Sequence, residues 1–246
     1  IHDFAFTKNH VIFMDAPAVM DYESMMRGGP LVSWQPECGT RIGVLPRGNG
    51  GDAVQWFEVP NGYVVHFMNA FEEGSSVIAY GCRFDTMDFG AGTTDVPDPV
   101  AFLTRYEMNL ETGEVRETQA ADIRGEFPRV APDREGQDFE IGYFTTFTRG
   151  EPDGPRFDSI SRFERSNGEV RTHQLPGHQI TGEAVFAPDP QARGEDEGWL
   201  ISFVSNPDGS ENDLLILDAQ TLRQQARVHM PRRVPFGFHG NWFASA

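Results

Sequence analysis

The sequence predicts an all-β protein built from repeating four-stranded units, which is the architecture of a β-propeller. Short runs of aromatic and β-branched residues recur between clusters of Gly, Pro, Asn and Asp, as is typical of strands and turns. Helical periodicity is nearly absent, and a sequence motif recurs about every 55 residues. The runs that predict strands are His10–Met14, Tyr63–Met68, Val77–Tyr80, Trp199–Val204 and Leu214–Leu217.

The repeat lies in the second half of the chain. Residues 105–115 resemble residues 162–170, and residues 214–222 form a looser third copy. A glycine follows the turn residue in the first two copies, which suits a tight hairpin because glycine tolerates positive φ. The spacing is close to the roughly 50 residues of a large propeller blade. The turn residues lie 55 and 54 residues apart, at Thr112, Asn167 and Thr221.

Composition excludes several classes of partner. The net charge of −17 would repel a polyanion, so nucleic acid and anionic membrane surfaces are poor partners. No apolar run approaches the roughly 20 residues that cross a bilayer, and no signal segment opens the chain. Cys38 and Cys82 lack CxxC spacing, which favours reduced thiols and a cytoplasmic location. Because the chain begins at Ile1 without an initiator Met, we expect a fragment of a longer protein.

Two segments rich in Gly, Asp and Pro, residues 84–99 and 188–198, are predicted loops. The second contains the acidic run Glu195–Glu197. We interpret this run as solvated surface and assign it no metal.

Five residues are spaced about one propeller blade apart along the sequence and could bind a metal ion. The steps between them are 64, 60, 57 and 56 residues. In a propeller the innermost strands surround the axis, so one residue per blade can point to a common centre. We therefore predict a metal site there. The residues, all in aromatic or Gly-rich strand contexts, are His2, His66, Glu126, Glu183 and His239.

Three motifs support this interpretation. The first is His2-Asp3-Phe4-Ala5 with Thr7, the second is His66 with Asn69, Ala70 and Glu72, and the third covers residues 235–240. Together they resemble the motifs of carotenoid cleavage oxygenases, a family that includes apocarotenoid and lignostilbene dioxygenases. The resemblance implies a seven-bladed propeller with Fe(II) held by four histidines, three of which hydrogen-bond to glutamates. Residues 1–246 would form the C-terminal part of a single propeller domain, with about four to five blades.

Carried over residue by residue, the resemblance makes His2, His66 and His239 the second, third and fourth iron ligands. Glu126 and Glu183 match the last two glutamates, and we assign Glu126 to His66 and Glu183 to His239. The first histidine and first glutamate would lie upstream of this chain. We expect the three histidines to converge on one point. Four others fall outside the spacing and are predicted to have surface or packing roles, namely His10, His173, His178 and His229.

The implied function is Fe(II)-dependent cleavage of a conjugated carbon–carbon double bond by O2, with a carotenoid, apocarotenoid or stilbenoid as the hydrophobic substrate. No organic cofactor is implied, and membrane contact is expected only through the upstream part. A non-catalytic binding propeller is the alternative, and we expect this chain alone to be inactive. Alternating His and Glu argue against a propeller hydrolase. Core packing is favoured over a tunnel-lining role for Phe67, Phe71, Phe236 and Phe238.

Overall fold

The computed structural model describes residues 1–87, 100–148, 157–209, 212–235 and 239–243. Antiparallel strands dominate these residues, so the all-β prediction is confirmed. No helix in the described part of the chain has both the length and the apolar content needed to cross a bilayer. The contacts divide the chain into two compact units, residues 1–119 and 120–246. The prediction of a single domain stays a prediction.

The first unit contains a four-stranded antiparallel sheet of order β1-β2-β5-β6, the hairpin β3-β4, and the consecutive neighbours β7, β8 and β9. One short helix, α1 (Tyr22–Met26), lies between β3 and β4. The strands are β1 (Phe4–Phe6), β2 (His10–Asp15), β3 (Ala18–Met20), β4 (Val32–Trp34), β5 (Thr40–Pro46), β6 (Gln55–Val59), β7 (Tyr63–Glu73), β8 (Ser76–Phe84) and β9 (Ala101–Asn109).

Side-chain alternation explains the core of this unit. Ile12 and Met14 are buried on β2 while the residues between and after them are more exposed, as expected for a strand with one face on the core. Ile42 and Val44 on β5 and Phe57 on β6 meet them in one apolar cluster. The same cluster includes Val64, Phe67 and Ala70 of β7, so β7 is anchored in the core of the first unit.

The chain passes from the first unit to the second within the long strand β10 (Val115–Val130), which neighbours β9 and later pairs with β11. The second unit continues with the order β10-β11-β12-β13 and a further sheet of order β14-β16-β17-β18, in which β15 also pairs with β16. Its strands are β11 (Ile141–Thr146), β12 (Ser159–Glu164), β13 (Glu169–Gln174), β14 (Ile180–Thr181), β15 (Val185–Pro188), β16 (Gly198–Ser205), β17 (Asn212–Asp218) and β18 (Gln224–His229).

Strand β11 is buried along its whole length, so its polar side chains need internal partners. The Thr146 hydroxyl lies 2.8 Å from the hydroxyls of both Ser159 and Ser161 on β12. The neighbouring strands thus satisfy their own buried hydroxyl groups.

The three copies of the sequence repeat form the same hairpin turn. In each copy a backbone N–H donates to the carbonyl oxygen four residues earlier, from Gly113 to Asn109, from Gly168 to Glu164 and from Leu222 to Asp218, at 2.8 to 2.9 Å. Glycine has positive φ in the first two turns, and Leu222 takes the same position with φ 56°. The repeat prediction is correct, and in the third copy a buried leucine replaces the glycine.

The acidic run at Glu195–Glu197 differs from the prediction, because it is not simply solvated surface. The Glu195 carboxylate accepts hydrogen bonds from the N–H groups of Glu140 and Ile141, at 2.6 and 2.5 Å. Asp196 accepts a hydrogen bond from Arg162 at 2.8 Å. These partly buried carboxylates bind the start of β11 and an arginine of β12, and the sequence alone does not show such partners.

Candidate metal centre

His2 and His66 lie together in the first unit. His2 precedes β1, and His66 lies within β7. Their Nε2 atoms are 3.3 Å apart, and the ring planes meet at 78°. Two imidazole nitrogens bound at about 2.1 Å and at a right angle on one ion lie about 3.0 Å apart. The pair therefore fits adjacent positions on one metal ion.

An irregularity in β7 sets the position of His66. The register with β8 shifts between Val64 and Phe67 and again before Asn69, which is the signature of a bulge. A bulge leaves a residue out of the ladder and re-aims the side chains beside it. Gly81 lies opposite, where a Cβ atom would come within 2.7 Å of Val64 Cγ1 and 3.3 Å of the His66 carbonyl oxygen. Glycine suits this position because the β-branched Val64 side chain occupies the place that a Cβ atom would take.

Asp3 connects the two histidine segments. Its Oδ2 accepts a hydrogen bond of 2.9 Å from the N–H of Phe67, the residue after His66. Asp3 is also the residue after His2, so one side chain bridges the chain next to both rings. Asp3 belongs to the first sequence motif, and residue types alone do not indicate this bridging contact.

Glu72, the last residue of the second motif, binds the turn that follows β1. Its carboxylate accepts hydrogen bonds from the Thr7 hydroxyl, from the Asn9 N–H at 2.9 Å and from Asn9 Nδ2 at 2.7 Å, and it lies 3.0 Å from His10 Nδ1. Burial raises the pKa of this carboxyl, but the hydrogen bonds outweigh it and lower the pKa to about 2. His10, at the start of β2, therefore contacts a carboxylate of β7, and its predicted surface or packing role stays a prediction.

His239 lies in the second unit, outside any strand, beside the buried carboxylate of Glu183. His239 Nδ1 is 3.5 Å from Glu183 Oε2, and the side chain of Glu183 is 4% exposed. The same Oε2 accepts a hydrogen bond of 2.8 Å from the N–H of Gly240. Arg129 donates to Glu183 Oε1 at 2.6 Å and to the Gly240 carbonyl oxygen at 3.0 Å. One carboxylate and one guanidinium therefore hold the segment that carries His239.

Phe127 packs against the ring of His239. The two rings meet edge to face at 90°, with centroids 5.4 Å apart. Phe127 has φ 53° and lies where the register of β10 shifts between Glu126 and Arg129. A positive φ is rare for a bulky residue and marks local backbone strain. Glu126 itself is buried in this irregular part of β10.

The structure corrects part of the predicted local context. His66 and Glu126 lie in strands, whereas His2 precedes β1, Glu183 lies between β14 and β15, and His239 follows β18. The strand prediction is wrong for those three, because aromatic and Gly-rich composition does not separate a strand from the irregular segment that enters it.

Of the predicted contacts between site residues, some are observed and others stay predictions. Glu183 and His239 are brought together within the second unit. His2 and His66 belong to the first unit and His239 to the second, so convergence of all three stays a prediction, as does the pairing of Glu126 with His66. Phe67 and Phe71 are buried, while Phe236 and Phe238 lie outside the described residues.

Comparison with known proteins gives the family. Residues 1–244 match the model of the RPE65 family, described as retinal pigment epithelial membrane protein. A carotenoid cleavage oxygenase of Mycobacterium tuberculosis is 34% identical over 221 residues, which cover 85% of this chain and 43% of that protein. Isoeugenol monooxygenase of Pseudomonas putida is 30% identical, covering 98% of this chain and 54% of the relative.

The chain spans about half the length of the curated relatives it matches. A solved lignostilbene dioxygenase of Pseudomonas brassicacearum is 27% identical with a TM-score of 0.89, and the match covers all of this chain and 55% of that one. The predicted β-propeller fold is confirmed by this likeness. The chain belongs to the RPE65 and carotenoid cleavage oxygenase family.

Proposed function

We propose that this chain carries three histidine ligands of an iron(II) oxygenase that cleaves a conjugated carbon–carbon double bond into two carbonyl products. The observation that carries the proposal is the His2–His66 pair, with Nε2 atoms 3.3 Å apart, in a chain of this family. His239 would be the third ligand. A fourth imidazole would come from outside these 246 residues, as the resemblance implies.

The donor set suits iron(II). Neutral imidazoles bind this ion well, and four of them on an octahedral ion leave two positions open. Because histidine ligands bring no negative charge, a carboxylate that accepts the other ring N–H fixes the ring and makes it a better donor. Glu183 is near enough to His239 Nδ1 to act in this way, and we assign Glu126 to His66.

Iron(II), when bound, supplies the redox chemistry by which O2 reacts with an alkene. Each of the two oxygen atoms ends in one carbonyl product, so the double bond and O2 balance without a further reductant. The chain's own residues orient the ligand rings and hold the segments that carry them. The relatives' names support a carotenoid or stilbenoid substrate, hydrophobic and conjugated, and the resemblance adds apocarotenoids. A cytoplasmic location agrees with the two free cysteines, Cys38 and Cys82.

The alternative is a propeller that only binds. We expect the isolated 246 residues to hold iron poorly and to show no cleavage, because three of the four implied ligands are present and unpaired strand edges would associate with other chains.

The test uses the full open reading frame that encodes this chain, purified without oxygen and assayed for iron content. Cleavage of an apocarotenoid and of a hydroxystilbene is followed by product mass, which identifies the bond. His2→Ala, His66→Ala and His239→Ala should each lose most bound iron and all measurable cleavage. His178→Ala is the matched control, since His178 is exposed on a loop. A variant that keeps wild-type iron and turnover removes its residue from the ligand set.

A further inference from the structure

Strand β1 is bound to β7 by side chains although the two strands belong to different sheets. The backbone ladder of β1 is with β2 and begins at Phe4, so it does not extend to His2. Besides the apolar contact of Ala5 with the core, two carboxylates make hydrogen bonds between the β1 segment and β7, one at each end of β1. Both lie wholly within the first unit.

At the start of β1, Asp3 accepts the N–H of Phe67 at 2.9 Å. This N–H lies between the two register shifts of β7, where the ladder with β8 is interrupted. A buried N–H that lacks a ladder partner destabilises the fold unless another acceptor is supplied. Asp3 supplies that acceptor, and by doing so it fixes the residue next to His2 against the residue next to His66.

At the end of β1, Glu72 accepts hydrogen bonds from Thr7 and Asn9 and lies 3.0 Å from His10. Charged acceptors form stronger hydrogen bonds than neutral ones, and this carboxylate receives several at once. The turn after β1 is therefore held on β7, six residues beyond His66. Asp3 and Glu72 together fix β1 at two points along one strand.

We propose that Asp3 and Glu72 are positioning residues that hold His2 at metal-binding distance from His66. The inference rests on the proposed function, since it concerns the ligands of the proposed iron site. His2 is exposed and precedes the ladder, so its ring depends on the neighbouring Asp3 contact for its place. Without these contacts, binding an ion must also order the His2 segment, and the entropy lost in ordering lowers metal affinity.

The experiment measures cobalt(II) affinity of the apo protein from the full open reading frame, by the visible ligand-field absorption without oxygen. Asp3→Ala and Glu72→Ala should each weaken binding by roughly 10-fold, the lower end for partners of metal ligands. Asp3→Asn keeps an oxygen acceptor for Phe67 N–H and should restore affinity to within about threefold of wild type. In the apo protein, hydrogen exchange of the peptide containing Phe67 should be faster in Asp3→Ala than in wild type. In Asp3→Asn it should be as slow as in wild type.

Two matched control variants distinguish loss of the positioning contacts from the general effect of removing a carboxylate. Asp21→Ala removes another carboxylate that accepts a backbone N–H at 2.8 Å, at the start of α1. Glu73→Ala removes the exposed glutamate next to Glu72. Both should bind cobalt(II) as wild type does.

The outcomes distinguish the two proposals. If the wild-type protein takes up neither cobalt(II) nor iron(II), the proposed function fails and the positioning role fails with it. If wild type binds metal and Asp3→Ala and Glu72→Ala match their controls, the proposed function stands and the positioning role is overturned. Should Asp3→Ala not fold, Asp3→Asn still decides: weak binding by this folded variant contradicts a role as backbone acceptor.

Discussion

The segments that carry His66 and His239 are held in different ways. His66 lies in an eleven-residue strand whose core-facing side chains anchor it, and carboxylates attach the neighbouring β1 to that strand. His239 lies outside the described strands, and Glu183 contacts both its ring and the next backbone N–H. A histidine on a strand is positioned by the whole sheet, whereas a histidine on an irregular segment is positioned by a few polar contacts. We expect the second arrangement to be the more sensitive to single substitutions.

The largest effect is expected at Glu183. Glu183→Ala would leave Arg129 without its carboxylate and the Gly240 N–H without its acceptor, at a cost of about 3 kcal/mol in unfolding free energy. Glu183→Gln should keep the fold but lower metal affinity by roughly 10- to 100-fold, which metal titration of the full-length protein measures. Glu126→Gln should act in the same direction.

Glu169→Gln is the control for both glutamates, because Glu169 is an exposed residue of β13. Wild-type metal affinity in Glu183→Gln would contradict the difference between the His66 and His239 segments, since the irregular segment would then not depend on this carboxylate.

A smaller effect, in the first unit, is acid sensitivity at Glu72. Its folded pKa of about 2 lies below the ordinary value of 4.5, so its stabilisation is complete above about pH 4.5 and is lost as the pH falls towards 2. The titratable group facing it is His10. Glu72→Gln should lower unfolding free energy by roughly 1–3 kcal/mol at pH 6, with the difference from wild type vanishing near pH 2.

Urea unfolding at a series of pH values measures this difference, with Glu73→Gln as the adjacent exposed control. A difference that does not change between pH 6 and pH 2 would show that the Glu72 charge does not hold β1 on β7.

The smallest effect is expected at Phe127. Phe127→Leu keeps most of the apolar volume and the positive φ but removes the edge-to-face contact with His239, which is worth about 1 kcal/mol. We expect metal affinity to fall a few-fold. Phe163→Leu, at a buried phenylalanine of β12, should reduce stability similarly without changing metal affinity. Equal metal affinity in the two variants would show that the Phe127 ring is ordinary core.

The fold could be predicted because strand and turn patterns repeat locally. Hairpins at Thr112 and Asn167 follow from a glycine placed where positive φ is required, and the same turn returns at Leu222, which no propensity predicts. There, burial of the leucine side chain outweighs the strained backbone. Tertiary packing, and not local preference, determines that position.

The candidate site could be predicted only in part. Histidines at blade spacing identified His2 and His66, whose rings do meet. The contacts of Asp3, Glu72 and Arg129 were missed because each depends on a bulge or an irregular segment. A register shift changes which N–H groups lack a ladder partner, and residue types alone do not show where the register shifts.

The long sequence separation of the Asp3 and Glu72 contacts has a consequence for the order of folding. Their hydrogen bonds join residues 62 to 65 positions apart, whereas β7-β8-β9, β10 to β13 and β16-β17-β18 are formed by strands that follow one another along the chain. Closing a long loop costs chain entropy before any contact rewards it, so the hairpins should form first. In pulse-labelled hydrogen exchange, the Phe67 amide should become protected after those of the β8–β9 hairpin. His2 and His66 would then come together only after the sheets have formed, and a metal ion would bind a protein that is already almost completely folded.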